Sequence, residues 1–236
     1  MEKNNKLYEK RARLYPVIMA MLIPFSLFVV FGSSLLNIHN QFERVWNIII
    51  SVVPASLITA AAVYGMKNLA RSTSKALFQF PMFQEDESEM PTTQFLLYSN
   101  SMLSRQNKTL IRDKIKHDIG LVLLDEEQEK LHEKEARQLI VDAVKQIRER
   151  TRGNQILFDY NCNFGFVRNF MGANVWSLLI AFIFMLSNFF VSAIDHKTII
   201  GANFLIIILF PVALWVLKLN GREYARQLYT VYMELK

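Results

Sequence analysis

Arg112-Asp113-Lys114-Ile115-Lys116-His117 is the segment whose residue types and spacing come nearest to chemistry. A histidine can act on a ribose 2′-hydroxyl, and a guanidinium can steady the phosphate beside it. Arg112 and His117 are the candidate pair for such chemistry. The competing reading is a solvated, charged helix face, and nothing in the neighbouring residues favours hydrolysis over it.

A second cluster, Asp125, Glu126, Glu127, Glu129, His132 and Glu133, has the carboxylates a hard cation prefers. The spacing fits no cation loop, however, and no glycine makes the turn. Acidic residues are favoured at a helix N-terminus in any case, so the run reads as a helix start and no metal site is expected. The acidic stretch Glu85–Glu89 reads as a loop, with a docking peptide as the alternative. Cys162 is the single cysteine, which excludes an intramolecular disulfide and a cysteine-rich metal site. The chain also lacks a phosphate-binding glycine loop, a zincin motif and a serine nucleophile elbow. The expectation is a protein that is not an enzyme and needs no cofactor.

The elements that carry these residues divide by hydropathy. Four uncharged apolar stretches run roughly over Tyr15–Leu36, Trp46–Met66, Val175–Ile194 and Ala202–Leu217. A bilayer core about 30 Å thick needs ~20 such residues in a helix. The fold expected is an all-α membrane protein with four transmembrane helices in two hairpins and a cytoplasmic helical insert. The expected divisions are 1–66 for the basic N-terminus and first hairpin, 67–171 for the insert, and 172–236 for the second hairpin and a cytoplasmic tail. The first apolar run is too long for a signal-peptide core and lacks a cleavage site, so it reads as a retained helix.

Basic residues set the expected topology. Lys3, Lys6, Lys10, Arg11 and Arg13 precede the first span; Lys67, Arg71 and Lys75 follow the second. Arg168 precedes the third, and Lys218, Arg222 and Arg226 follow the fourth. The two turns hold only Arg44 and Lys197. By the positive-inside rule both termini and the insert face the cytoplasm, which in a bacterium makes this an inner-membrane protein. The chain is +6 overall, yet residues 67–170 carry 16 Lys and Arg against 15 Asp and Glu. The excess lies beside the membrane, where it meets lipid heads, so direct DNA binding is not expected. No Asp, Glu, Lys or Arg lies within the spans, which argues against an ion-coupled transporter.

Within the spans, Ser51, Ala55 and Thr59 form a small-residue stripe suited to close helix packing, inside one subunit or between subunits. Gly172-Ala173-Asn174 reads as the entry to the third span. Asn161, Phe164, Arg168, Asn169 and Asn174 lie where the insert meets that span and are the expected coupling residues. Amides there cap helix ends and bond lipid phosphate, or bind a polar ligand. In the insert, Ser104 caps a helix running to Ile119 with Leu110, Ile111, Ile115 and Ile119 on one side. A second helix spans about Leu131–Arg150, and a third starts at Asn154. Phe95–Tyr98 and Leu121–Leu124 are the segments open to a strand reading.

Several motifs of the insert read together: Met90-Pro91-Thr92-Thr93 with Leu96-Leu97, Ile111-Arg112-Asp113-Lys114-Ile115, Ala143-Val144-Lys145-Gln146-Ile147-Arg148, and Asn161-x2-Phe164-Gly165-Phe166-Val167-Arg168-Asn169. Over about residues 90–172 the chain resembles small bacterial membrane proteins found with anti-phage systems, among them the membrane accessories of type VI CRISPR loci. The Arg112/His117 spacing separately resembles the nuclease motif of HEPN-type RNases. The first resemblance implies an oligomeric inner-membrane accessory or effector. Its insert would receive a soluble defence protein or a nucleotide signal and alter membrane integrity. A membrane-tethered RNase and a passive scaffold for a partner are the alternatives.

Overall fold

The computed structural model describes residues 2–36, 55–84, 86–192 and 194–235. Among them every regular element is a helix. Helix α1 (Glu2–Tyr8) passes through a π-helical stretch, Glu9–Leu14, into α2 (Tyr15–Leu36). Next come α3 (Ala55–Ser74), which continues through a π-helical stretch (Lys75–Gln79) into α4 (Phe80–Phe83), then α5 (Pro91–Gln94), α6 (Arg105–Ile119) and α7 (Glu126–Leu131). Last are α8 (Glu133–Arg150), α9 (Gln155–Val191) and α10 (His196–Glu234). Phe95–Tyr98 and Leu121–Leu124 are therefore not strands.

Among the described residues, three helices are long and apolar enough to cross a membrane: Asn4–Phe31, Gln155–Phe190 and His196–Glu234. Of the expected second span, Trp46–Pro54 lies outside the described residues, and α3 is its described continuation. The basic head proves helical from Glu2, where the sequence suggested a helix opening near Tyr15. Helix α9 runs unbroken through Gly172-Ala173-Asn174, the expected entry to the third span.

The chain forms two units. One comprises Gln79–Phe164 with Val216–Lys236, the other Glu2–Phe78 with Gly165–Trp215. This partition assigns the C-terminal tail to the polar insert, where hydropathy alone grouped it with the second hairpin. The reason is visible in the core of the first unit. Phe95, Leu96, Leu97, Ile111, Ile115, Ile140, Val144 and Ile147 pack there with Leu157 and with Ala225, Leu228, Tyr229, Val231 and Tyr232 of the tail. The Tyr229 hydroxyl donates to the Thr92 carbonyl, fixing the tail to α5.

Local signals place the helices of this unit. Ser104 Oγ accepts the Asn107 N–H at the start of α6, and Gly120 closes that helix with φ 74°, a left-handed position that suits glycine. Ile111 and Ile115 face inward, whereas Leu110 is half exposed, contrary to the side expected of it. The helix expected over about Leu131–Arg150 is α8, and the short α7 precedes it, separated by His132 at φ −131°, ψ 53°. Asp125 caps α7 and Gln128 reaches back to the Asp125 N–H, a complete capping box. Asn154 Oδ1 accepts the N–H groups of Ile156 and Leu157 and starts α9.

In the second unit, buried amides cross-link helices. Asn169 Nδ2 donates to the Ala12 carbonyl at 2.6 Å, and Asn174 Nδ2 donates to the Ile206 carbonyl at 3.0 Å. Asn203 Nδ2 donates to the Ala181 and Ile199 carbonyls. Asn188 closes the turn between α9 and α10, donating to the Ile194 carbonyl and accepting its N–H. Apolar association is weak between helices in lipid, so such bonds and close packing take its place.

Candidate functional site

Arg112 is the best-connected polar side chain of the first unit. Its Nε and one terminal nitrogen donate to the Leu96 carbonyl at 3.1 and 2.6 Å, and the other terminal nitrogen donates to the Leu124 carbonyl at 2.5 Å. A charge-assisted bond of 2.9 Å joins it to Glu129, and its guanidinium lies 4.0 Å from the Tyr98 ring centroid. Glu129 in turn accepts the Ser99 N–H. Both partners are buried, Arg112 at 8% and Glu129 at 3% exposure. A single ion pair thus ties α6 to the 95–99 segment, the Leu121–Leu124 loop and α7. Arg suits this role because its planar fork satisfies several acceptors at once.

Lys108, one turn before Arg112, is also buried. Its ammonium donates to the Leu97 carbonyl at 2.6 Å and to that of Asn100. Burial pushes its pKa below the ordinary lysine range, while Glu129 opposes that shift. Lys108 and Arg112 together hold the carbonyls of a segment with little regular structure.

His117 occupies a different environment, its side chain 89% exposed. Its Nδ1 lies 2.9 Å from Asp118 Oδ1. Asp118 also contacts Lys114 at 3.4 Å and accepts from the Tyr232 hydroxyl at 3.2 Å. Arg112 and His117 are therefore neighbours in sequence with separate partners. The guanidinium that would steady a phosphate is committed to carbonyls and a carboxylate.

Asp118 gives a pH-dependent expectation. The His117 contact, with help from Lys114 and Tyr232, holds its carboxyl below the usual carboxylate range against the opposing effect of burial. A carboxyl with a lower pKa folded than unfolded contributes stability above its unfolded pKa, about 4, and loses it as pH falls through the folded value. Asp118→Asn removes that contribution. The thermal midpoint of the variant should therefore fall less steeply below about pH 4 than that of the parent. Parallel acid limbs in detergent-solubilised full-length protein would show that Asp118 carries no such linkage.

The acidic loop is tied down. Glu87 pairs with Arg148 at 2.7 Å and Glu89 with Arg137 at 3.3 Å. Asp125 is occupied as a helix cap. Cys162 is buried.

The expected coupling residues separate between the two units. Asn161 is exposed in the first unit, where Phe164 packs 6.3 Å from the Phe83 ring. Asn169 and Asn174 are buried helix cross-links of the second unit, and half-buried Arg168 belongs with them. Close packing accompanies those cross-links. A Cβ added at Gly172 would lie 1.9 Å from the Ala70 carbonyl oxygen, and one at Gly165 would lie 2.7 Å from the Tyr8 hydroxyl. Trp176 Nε1 donates to Thr73 Oγ1 at 2.9 Å. Of the small-residue stripe, Ser51 lies outside the described residues. Ala55 and Thr59 fall in α3, with side chains outside the description.

Sequence reasoning missed the tail and the two buried cations. The tail had a readable signal, because Ala225, Leu228, Tyr229 and Tyr232 recur at helical spacing beyond the last apolar run. Lys108 and Arg112 had none, since only the fold surrounds them with carbonyls.

No protein-family model, curated protein or solved structure matches this chain.

Proposed function

We propose that the protein is an oligomeric accessory or effector of the bacterial inner membrane, working with an anti-phage system. A soluble partner or nucleotide engages the polar helical unit, and membrane integrity changes in response. One observation carries the reading: α9 and α10 each supply residues to both units, with no linker in either helix. Leu157 of α9 and Leu228 of α10 sit in the core of the polar unit. Asn174 of α9 bonds the Ile206 carbonyl of α10 in the apolar one. A displacement of the polar core can then reach apolar helices along continuous backbone. The resemblance over residues 90–172 supports the defence setting, and the basic flanks support a cytoplasmic placement of the polar unit and both termini.

The polar unit also presents apolar side chains to a partner: Leu110, Val122 and Leu131 are 50, 62 and 77% exposed. The hydrolytic alternative gains nothing from the geometry, because Arg112 is fully engaged. The test pairs two measurements on the full-length chain. Its mass in detergent should exceed that of one subunit, and its induction in cells should admit a membrane-impermeant dye. Inserting Gly-Gly after Phe164 should suppress dye entry while leaving expression intact. A monomer that never admits dye would refute the effector reading and leave a scaffold.

A further inference from the structure

Four cations gather where α1, the following π-helical stretch, α3 and α9 meet. Glu9 pairs with Arg13 and with Lys67, the latter at 2.9 Å. Arg168 adjoins Asn169, whose amide bonds the Ala12 carbonyl next to Arg13, and Arg71 adjoins Ala70, whose carbonyl oxygen lies against α9 at Gly172. Tyr8 has its hydroxyl against Gly165. The contact between Asn169 and the Ala12 carbonyl holds the same elements together. Arg13, Lys67, Arg71 and Arg168 against Glu9 leave an excess of three positive charges. All four cations are half-buried rather than fanned into water.

Bringing like charges together on packed helices costs free energy unless an anion joins them. Arg13 has donor capacity to spare: its Nε is buried and lacks a hydrogen-bond partner among the described residues. The cluster also sits at a defined depth. Arg13 precedes the apolar run that opens at Tyr15, Arg71 follows the one that closes at Met66, and Arg168 precedes the one that opens at Val175. That is the level of lipid phosphates, and guanidinium forks match phosphate oxygens with paired donors.

We infer that Arg13, Arg71 and Arg168 form a binding site for the phosphodiester headgroup of an anionic glycerophospholipid. A zwitterionic headgroup carries its own ammonium and would meet the cluster's excess charge with repulsion. A free phosphate offers the same oxygens without acyl chains to hold it at that depth.

Thermal melts of the full-length protein in detergent test this, with added phosphatidylglycerol, phosphatidylcholine or inorganic phosphate in separate titrations. Phosphatidylglycerol should raise the midpoint in a saturable way, and the other two should not at the same concentrations. Arg71→Gln should raise the half-saturating concentration about tenfold, the scale of one lost charge-assisted bond, and Arg71→Lys should recover part of it. Arg222→Gln, an exposed basic site of the other unit, should titrate like the parent. Equal stabilisation by phosphatidylcholine would overturn the site. So would a parent-like titration of Arg71→Gln, and a full response to inorganic phosphate would overturn the lipid assignment.

Discussion

Gly172→Val is expected to abolish recovery of folded, monodisperse protein. A Cβ at position 172 would fall 1.9 Å from the Ala70 carbonyl oxygen and 2.8 Å from the Ser74 nitrogen and Cβ. Two of those three atoms are backbone, so no rotamer change relieves the clash. Overpacking a core that yields costs about 1–3 kcal/mol. Here α3 and α9 must separate, breaking the contact of Asn169 with Ser74 and that of Trp176 with Thr73. The loss should approach the whole stability of a typical domain, about 5–15 kcal/mol. Size-exclusion chromatography in detergent reads the outcome. Gly201→Ala is the control, because nothing lies within 4 Å of a Cβ added there. A monodisperse Gly172→Val protein with a parent-like melt would mean that α3 and α9 do not pack this way.

Arg112→Met comes next. It leaves buried Glu129 without its ion-pair partner and strands the carbonyls of Leu96 and Leu124. Breaking a buried pair from one side costs about 3–5 kcal/mol, whereas replacing both partners with apolar groups is often close to neutral. The single variant should therefore be strongly destabilised, and Arg112→Met with Glu129→Leu should recover much of the loss. His117→Ala, at an exposed position, should stay within about 0.5 kcal/mol of the parent. Thermal midpoints of the four full-length proteins give the comparison. If Arg112→Met melts like the parent, the hub is not structural and a phosphate-handling role regains ground.

These two sites show how differently the sequence exposed its own organisation. Apolar run length made legible three helices long and apolar enough to cross a membrane, since a bilayer core demands long uncharged helices. Ser104, Gly120 and Asn154 were legible because helix ends leave unpaired backbone groups that short polar side chains or a left-handed residue satisfy. The opposite held for Gly172, which the sequence offered only as part of the entry to a span. Its role is close approach to α3, a long-range contact no local pattern encodes. His132 hid for a similar reason. The charged stretch around it keeps helical composition on both sides, and the break between α7 and α8 shows only in backbone angles.

Charge misled most at Arg112. An Arg in a run of Lys and Asp reads as solvated, and its burial depends on carbonyls brought by segments 16 residues before and 12 residues after it. Asn169 and Asn174 were expected to cap helix ends and bond lipid phosphate, or to bind a polar ligand. Both are buried and bond neighbouring helices instead. Asn161 was grouped with them by proximity in sequence, yet it is a surface residue of the other unit.

Everything proposed for this chain requires one sidedness. Single cysteines at Lys6, Asp86 and Glu234, each in a Cys162→Ser background, can be probed with a membrane-impermeant maleimide, together with one at Lys197. In intact spheroplasts only the cysteine at 197 should label, and in inverted vesicles only the other three. Labelling of position 86 from the face opposite to 6 or 234 would place the polar unit away from a terminus and contradict the proposed transmission from cytoplasm to membrane.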